Sequence, residues 1–448
     1  MARKIFISVL GTGFYKPCIY GQTNVETRFI QVATLLHINA REWSNDDAGY
    51  IFLTDGARSA NWEIAGNKRK NHQNKIEEDY QSLKPSIDKL ELPFQVNDIH
   101  IPEGKNEDEM WEIFSTIFDV INEGDELYID LTHGYRYLPM LVLVLTNYAK
   151  FLKKVNVKSL TYGGFEAPTK EGIKPIMDLL PIAALQDWTN AAAAFQNGNA
   201  SQLAKLTTSE LRPILRDHTR PEQPLALALR FVVENLEKVT SEMQTCRGLS
   251  IEKACSIKTL KKHLDNMHDV IIKPVEPIID KVKEEFVDFN ENPDVKNGFV
   301  AAKWCINHGL YQQATTMLQE SVVSYFCNLY NQYIIDCSLI EDKRSIISSA
   351  LNILADKMPE NEWQLNKPEH LSLLKDVVEA FNENQEAYMV QCDNGKREHI
   401  SVVYKNLASG LRNDVNHNGM RNNPLSPNKI KNKTEDFYNR IYSCLYVK

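Results

Sequence analysis

Residues 4–13 read Lys-Ile-Phe-Ile-Ser-Val-Leu-Gly-Thr-Gly, a short apolar run that ends in two glycines separated by a threonine. β-Branched and aromatic residues favour a strand, and a strand with little polar alternation is typical of a sheet covered on both faces. A second stretch, Asp-Leu-Thr-His-Gly-Tyr-Arg at residues 130–136, follows another strand-like run in the same way. The two stretches decide the fold prediction, because each places a glycine loop at the carboxyl end of a predicted strand.

Strand and helix patterns alternate through the first 180 residues. The predicted strands are Lys4–Leu10, Tyr50–Leu53, Phe94–Ile101, Glu126–Leu131 and Val157–Tyr162. The predicted helices begin at a capping box (Thr23–Glu26), cover a polar stretch from Trp62 to Leu83, follow a cap at Asn106 and span Tyr137–Leu152. This alternation predicts a doubly wound, Rossmann-like α/β domain. In the commonest strand order the first and fourth strands are neighbours, so the two glycine loops should share one crevice.

The predicted crevice suits an anionic nucleotide. Glycine lets backbone N–H groups approach a phosphate, and a helix beginning near Arg136 would offer its positive end. Thr132 adds a hydroxyl, while His133 and Arg136 add donors and charge. The candidate ligand-binding residues of the two loops are Gly11, Thr12, Gly13, Thr132, His133, Gly134 and Arg136.

Two other readings of the loops stay open. A Gly-Thr-Gly segment after a strand is a weak signal by itself, and Thr-His-Gly can be a structural turn around a buried histidine. The first loop is not a dinucleotide fingerprint, because Lys16 stands where the third glycine is required. This departure disfavours a nicotinamide-dependent oxidoreductase.

From residue 184 onward helical patterns replace the strands. They cover Trp188–Phe195, Leu225–Val239, Ile257–Val282 (with prolines that should bend it), Val300–Tyr330, Arg344–Lys357 and Glu435–Tyr446. The last of these places Phe437, Ile441 and Leu445 on one side. We therefore predict three domains: an α/β domain over residues 1–183, an all-α linker domain over 184–295 and an all-α domain over 296–448.

A second set of candidate residues lies near the carboxyl end, where residues 412–417 read Arg-Asn-Asp-Val-Asn-His. Histidine can move protons near neutral pH, and arginine can stabilise charge on a phosphorane, so Arg412 and His417 suit RNA cleavage by the 2′-hydroxyl without a metal. Asn413 could orient the phosphate. Asp414 and His417 could share a helix face as metal ligands, but no third ligand is evident, and we predict no metal site.

The alternative is that Arg412 and His417 are ordinary surface residues. On a regular helix, residues five apart are rotated by ~140°. The pair would converge only if the helix begins or bends there, or if a second subunit completes the site. The surroundings favour a nucleic-acid site, because residues 396–440 hold nine Lys/Arg against four Asp/Glu, whereas the whole chain has a net charge of −8.

Composition argues against several other classes of protein. Hydrophobic residues at 43% and charged residues at 25% are ordinary globular values for the 448 residues. The eight cysteines are scattered with no CxxC pair, which argues against zinc and redox motifs and fits a reducing compartment. The sequence has no signal-peptide pattern and no apolar run of ~20 residues. We expect a soluble, cytoplasmic protein with no membrane partner.

These motifs together resemble the CARF–HEPN ribonucleases that accompany type III CRISPR systems. The CARF-like segments are residues 10–13, 52–55, 130–136 and 162–164, and they add Thr54 and Gly163 to the candidate ligand-binding residues. Residues 309–320 resemble the helix that opens the HEPN part, and Arg412-x4-His417 matches its active motif. The resemblance spans nearly the whole chain.

The resemblance implies a single-strand endoribonuclease of antiviral defence that is activated by a cyclic oligoadenylate and leaves 2′,3′-cyclic phosphate ends. Cyclic tetra-adenylate is the expected activator, with cyclic hexa-adenylate as the alternative, and no other cofactor is implied. A homodimer or higher oligomer would clamp one activator and build one nuclease site from two copies of Arg412 and His417. Some such sensors also cut their activator, for which Thr12 and His133 would be candidates. The competing hypothesis is a catalytically silent sensor that docks a partner through its helical half.

Overall fold

The computed structural model describes residues 2–64, 68–71, 73, 75–77, 79–134, 137–167, 172–267, 269–392 and 395–447. The chain forms two compact units, Met1–Asp187 and Trp188–Lys448. The first is α/β and the second is largely helical, as the sequence predicts. The further division of the second unit near residue 295 stays a prediction.

A six-stranded sheet organises the first unit. The strands of this unit are β1 (Lys4–Leu10), β2 (Cys18–Tyr20), β3 (Glu26–Thr27), β4 (Ala48–Leu53), β5 (Arg69–Lys70), β6 (Ile76–Glu77), β7 (Gln95–His100), β8 (Glu126–Asp130), β9 (Asn156–Gly163), β10 (Ile173–Lys174) and β11 (Ile176–Asp178). The sheet order is β11-β9-β8-β1-β4-β7, and only β11 is antiparallel to its neighbour. β1 lies between β4 and β8, so the predicted adjacency of the first and fourth long strands is confirmed.

Helices cover both faces of this sheet. They are α1 (Ile30–His37), α2 (Asp55–Ala57), α3 (Leu83–Asp88), α4 (Glu107–Asp119) and α5 (Leu138–Lys153), with a π-helical turn at Arg58–Trp62; α6 (Leu180–Gln196) runs across the boundary between the units. Ile5, Ile7 and Val9 of β1 join one apolar cluster, while Phe6 and Leu10 join the cluster on the opposite face. Burial on both faces explains why β1 is apolar without alternation.

Two helix predictions in the first unit differ from the structure: the helix after Thr23 is present as α1 but begins later, and the predicted helix over Trp62 to Leu83 is wrong. Thr23 does not cap a helix, because its hydroxyl donates to Tyr20 O and α1 begins only at Ile30. The stretch from Trp62 to Leu83 contains the antiparallel β5–β6 hairpin instead of a helix. At Thr23 a local hydrogen bond of the hydroxyl outweighs the helix signal of the sequence. In the β5–β6 hairpin, tertiary contacts outweigh it.

One continuous apolar core holds the second unit together. Its elements are α7 (Ser201–Arg216), α8 (Gln223–Gln244), α9 (Gly248–Glu252), α10 (Cys255–Asp265), α11 (Glu276–Glu285), α12 (Lys296–Asn307), α13 (Tyr311–Leu329), α14 (Ile340–Asp356), α15 (Leu371–Glu383), β12 (Met389–Gln391), β13 (Arg397–His399), α16 (Ile400–Lys405), α17 (Asn413–Asn416) and α18 (Pro427–Tyr446). The predicted helix over 300–330 is two helices, because Gly309 adopts φ +73° between α12 and α13.

A π-helical turn, Asn406–Arg412, joins α16 directly to α17. Residues 400–416 are therefore one helical run with a wide turn in its middle. π-Helical turns inside α-helices are rare and are frequently found at functional sites. Ser426 caps α18, because its hydroxyl accepts from Lys429 N, and the helix buries Phe437, Ile441 and Leu445 as predicted.

Across the part of the chain that the structure describes, no helix has both the length and the apolar composition that a membrane crossing would need.

Candidate functional site

The two glycine loops meet at the carboxyl ends of β1 and β8. A cavity of about 270 Å³ lies between them, and seven of the predicted ligand-binding residues line it: Gly11, Thr12, Gly13, Thr54, Thr132, His133 and Gly134. Thr54, at the end of β4, accepts a hydrogen bond from Ala57 N and so caps α2. Arg136 lies outside the described residues.

A second cavity, of about 460 Å³, adjoins the first and contains Gly163. Thr132, His133 and Tyr15 belong to both cavities, and the rings of Tyr15 and His133 stack with centroids 4.1 Å apart. This stacked pair is the wall between the two compartments. Each compartment is therefore polar on the side of the loops and aromatic along the shared wall.

Sequence reasoning missed the aromatic and cationic lining of the second cavity. Its additional residues are Phe14, Tyr15, Lys16, Tyr20, Arg28, Tyr162, Phe165 and Glu166. The available signal was the Phe-Tyr-Lys run at residues 14–16, directly after the first glycine loop, which combines stacking surface with a cation. Aromatic faces and cations are what nucleobases and phosphates respectively require.

Side chains of two polar residues bind the backbone carbonyls of the first glycine loop. Asn61 is fully buried, and its Nδ2 donates to Gly11 O at 2.7 Å and to Gly13 O at 2.9 Å. Arg69 Nη2 donates to Thr12 O at 2.7 Å. All three loop carbonyls thus have partners on the protein side.

The second loop is tied to both neighbouring strands through Asp130. Asp130 Oδ2 accepts from Ser8 Oγ of β1 at 2.7 Å, and Asp130 Oδ1 accepts from Thr132 N at 3.1 Å and from the Thr132 hydroxyl. The Thr132 hydroxyl in turn accepts from Gly163 N at 2.7 Å, at the end of β9. One hydrogen-bonded chain therefore spans β1, β8 and β9.

Burial shifts the pKa values of two groups at this site, Asp130 and His133. It raises the pKa of Asp130 from 3.8 to about 6, although its hydrogen bonds with Thr132 and Ser8 lower it. Burial lowers the pKa of His133 to about 4, so its ring is neutral at pH 7. His133 Nε2 is buried and has no hydrogen-bond partner among the described residues. It can accept or donate one hydrogen bond, depending on the tautomer.

Two glycines are required by the geometry of the crevice. Gly134 has φ +107°, and a Cβ there would lie 2.9 Å from Val9 Cγ1. Gly163 lies against Ile30, where a Cβ would approach Cδ1 to 2.6 Å. Only glycine fits either place without displacing core side chains.

The carboxyl-terminal candidates lie where the π-helical turn ends. Arg412 is its last residue, Asn413 opens α17, and His417 follows α17 with an exposed side chain. Arg412 Nη1 donates to Asn413 Oδ1 at 3.2 Å, while Arg412 Nε is buried with no partner among the described residues. The arginine and asparagine are brought together, and the histidine is presented to solvent.

The loop that follows His417 is fixed by a buried carboxylate. Asp414 is 2% exposed; its Oδ2 accepts from Leu425 N at 3.2 Å, and its Oδ1 lies 3.5 Å from Arg421 Nε. Asp414 therefore ties the loop after α17 to the helix through Leu425 and Arg421. Among the described residues no group of three metal-ligating side chains occurs.

Comparison with known proteins finds a family match for the amino-terminal domain. Residues 5–166 match the profile of a family described as "CRISPR system endoribonuclease Csx1, CARF domain". A curated relative, the CRISPR-associated protein MJ1674 of Methanocaldococcus jannaschii, is 27% identical over 266 residues, which cover 57% of this chain. The chain spans only 39% of the length of that relative.

A similar solved structure is that of Enterococcus italicus Csm6 bound to cyclic hexa-2′-fluoro-hexa-dAMP. The match covers 100% of this chain and 96% of that one, with a TM-score of 0.41 and 11% sequence identity.

Proposed function

We propose that this chain, whose residues 5–166 match the CARF domain family of Csx1, is an endoribonuclease of type III CRISPR antiviral defence that a cyclic oligoadenylate activates. The observation that carries the proposal is the crevice within that domain. Eight of the nine ligand-binding residues predicted from the sequence line its two adjoining cavities, and the ninth is Arg136. Cyclic tetra-adenylate is the expected activator and cyclic hexa-adenylate the alternative.

The proposed reaction uses the chemistry of Arg412, Asn413 and His417. The RNA 2′-hydroxyl attacks the adjacent phosphorus, the P–O5′ bond breaks, and a 2′,3′-cyclic phosphate and a free 5′-hydroxyl result. A histidine accepts the 2′-hydroxyl proton or donates one to the leaving oxygen, and proton transfer of this kind contributes roughly 10²–10⁴ in rate. Arg412 neutralises the phosphorane, and Asn413 lies beside its guanidinium.

Two chains are needed for the proposed mechanism. Arg412 and His417 stand at opposite ends of the short helix α17, so a twofold pairing would supply complementary groups to one RNA phosphate. In the sensor domain, α5 starts next to the second glycine loop and exposes Met140, Val144 and Phe151 at 70%, 62% and 84%. An apolar helix face of this kind, beside the crevice, supports a homodimer that shares one activator.

The direct test is cutting of a labelled single-stranded RNA by the full chain with a panel of cyclic oligoadenylates, each with and without EDTA. We expect one ring size to activate cutting, EDTA to leave it unchanged, and the product to carry a 2′,3′-cyclic phosphate. His417→Ala should reduce cutting by roughly 10²–10⁴-fold while leaving activator binding intact. His218→Ala, another exposed histidine, is the matched control.

The outcomes distinguish this proposal from the hypothesis that the chain is a catalytically silent sensor. Activator binding without RNA cutting by the wild-type chain would favour a sensor that docks a partner through its helical unit. Comparable cutting by His417→Ala and wild type would remove the assignment of the nuclease site.

A further inference from the structure

The first glycine loop presents an unusual arrangement of its backbone. Three consecutive carbonyls, those of Gly11, Thr12 and Gly13, all accept hydrogen bonds from side chains on the protein side of the loop. These donors, Asn61 and Arg69, come from the π-helical turn after β4 and from β5. No periodicity or motif in the sequence connects them to the loop.

Holding the carbonyls also orients the N–H groups. In a planar trans peptide the C=O of one residue and the N–H of the next point in opposite directions. The bonds to Gly11 O and Thr12 O therefore turn the N–H groups of Thr12 and Gly13 away from Asn61 and Arg69. Both residues are exposed and line the first cavity. The Thr12 N–H donates no hydrogen bond within the described part of the chain, whereas the Gly13 backbone bonds to the Tyr15 hydroxyl.

The Asn61 amide cannot exchange its nitrogen and oxygen without losing these bonds. Its Oδ1 accepts from Tyr80 OH at 2.8 Å and from Arg69 Nη1. A flipped amide would point its NH2 at the Arg69 guanidinium and its oxygen at two carbonyl oxygens, so three of the four contacts would become unfavourable and only the Tyr80 hydroxyl could adapt. The guanidinium of Arg69 is held in turn over the rings of Phe14 and Tyr80, at 5.6 Å and 5.0 Å from their centroids.

We infer that Asn61 and Arg69 are positioning residues for the activator: by binding the loop carbonyls they hold residues 11–13 so that the Thr12 N–H, with the positive charge of Arg69 beside it, faces a phosphate in the first cavity. The inference rests on the proposed function, since the phosphate belongs to the cyclic oligoadenylate. Neither residue needs to touch the activator. Each acts through the conformation of residues 11–13.

Substitutions of these residues should separate activator response from nuclease chemistry. Asn61→Asp keeps the size of the side chain but places oxygen against Gly11 O and Gly13 O. Arg69→Ala removes the donor to Thr12 O. Compared with Arg69→Ala, Arg69→Lys keeps a positive charge and a donor but lacks the planar guanidinium group. Arg58→Ala is the matched control, because Arg58 lies on the same π-helical turn but is paired with Asp98 at 2.5 Å.

The experiment measures RNA cutting by each full-length variant as a function of activator concentration, with the cyclic oligoadenylate that activates the wild type. We expect Asn61→Asp and Arg69→Ala to raise the half-activating concentration about 10- to 100-fold, as loss of hydrogen bonds that involve charged groups does. The maximal cutting rate at saturating activator should stay at the wild-type level. Arg69→Lys should recover part of the loss, and Arg58→Ala should behave as wild type.

Each result decides a different claim. Wild-type half-activating concentrations in both Asn61→Asp and Arg69→Ala would overturn the inference and leave the proposed function standing. A fall in maximal rate without a shift in half-activating concentration would also overturn it, because a general loss of folded protein acts in that way. If Asn61→Asp does not fold, as judged by its thermal transition, the two Arg69 variants decide. A wild-type chain that no cyclic oligoadenylate activates would contradict the proposed function and the inference with it.

Discussion

The Asp130 carboxyl lies in the interior of the sheet, between Ser8 on β1 and the backbone of Thr132. It is 1% exposed, and burial raises its pKa from 3.8 to about 6. The folded chain therefore binds this proton more tightly than the unfolded chain does. Its contribution to stability is present in full below about pH 4 and is lost as the pH rises through about 6.

We expect Asp130→Asn to remove this pH dependence. A carboxylate at position 130 costs up to ~3 kcal/mol, and about 2 kcal/mol of that cost appears between pH 4.5 and 7. The free energy of unfolding of the wild type should therefore fall by about 2 kcal/mol over this range relative to the variant. Denaturant unfolding at both pH values measures the difference. Asp46→Asn, an exposed carboxyl on the same unit, is the control. Parallel pH profiles for the wild type and Asp130→Asn would show that Asp130 does not titrate in this window.

Single residues differ in how far the sequence could reveal their roles. Gly134 and Gly163 were predictable, because each follows a strand in a recognisable motif and the structure leaves no room for a Cβ. Tyr15, whose ring forms the wall against His133, and Asn61 were not predictable. Their roles depend on contacts across the fold, and no local spacing records them.

At the scale of elements, α5 carries the outward apolar face that supports the proposed dimer. Residues 140, 144 and 151 lie on the same side of a helix at 3.6 residues per turn. Phe151→Asp should raise the half-activating concentration of the activator at least about tenfold, since one ligand is proposed to span two sensor domains and a buried charge opposes their pairing. Titration of RNA cutting, with the mass in solution measured alongside, tests this.

Val287→Asp is the control for that change, because Val287 is an exposed apolar residue of the second unit at 67%. A Phe151→Asp chain that responds to activator like Val287→Asp would exclude the α5 face from the proposed interface.

Elements with strong apolar patterns were predicted well, and those held by polar contacts were not. The five long strands and the buried side of α18 follow from periodicity, because apolar burial determines both. The β5–β6 hairpin does not, because its position depends on Arg69 bonding to Asn61 and Thr12 rather than on an apolar face. The π-helical turn at Asn406–Arg412 also has no signature in the residue types.

For the molecule as a whole, the proposal that two chains build one nuclease site predicts complementation. Arg412→Ala and His417→Ala should each be inactive alone, yet a mixed sample in which subunits have exchanged should cut RNA above either separate variant. A mixed dimer retains one arginine and one histidine from different chains. The measurement is activated RNA cutting of the mixture against the two separate proteins at equal total concentration.

A mixture that stays at the level of the separate variants after confirmed exchange would place both residues of a working site on one chain. The sequence predicts three domains; the shift of pattern near residue 184 lies close to the unit boundary at Asp187, and the further division near residue 295 stays a prediction. How two chains pair cannot be derived from a single sequence, because complementary surfaces have no periodic pattern.

The Thr132 hydroxyl has a consequence for which part of a nucleotide it can recognise. Its proton is committed to Asp130, and one of its lone pairs accepts from Gly163 N, so only the remaining lone pair is available to a ligand. It cannot donate to a phosphate oxygen; it can accept only from a ribose hydroxyl or an adenine amino group. Thr132→Val should therefore weaken activator binding, which a titration of RNA cutting against the activator measures. In the proposed complex, a side chain would recognise the sugar or base of the activator and the main chain would recognise its charge.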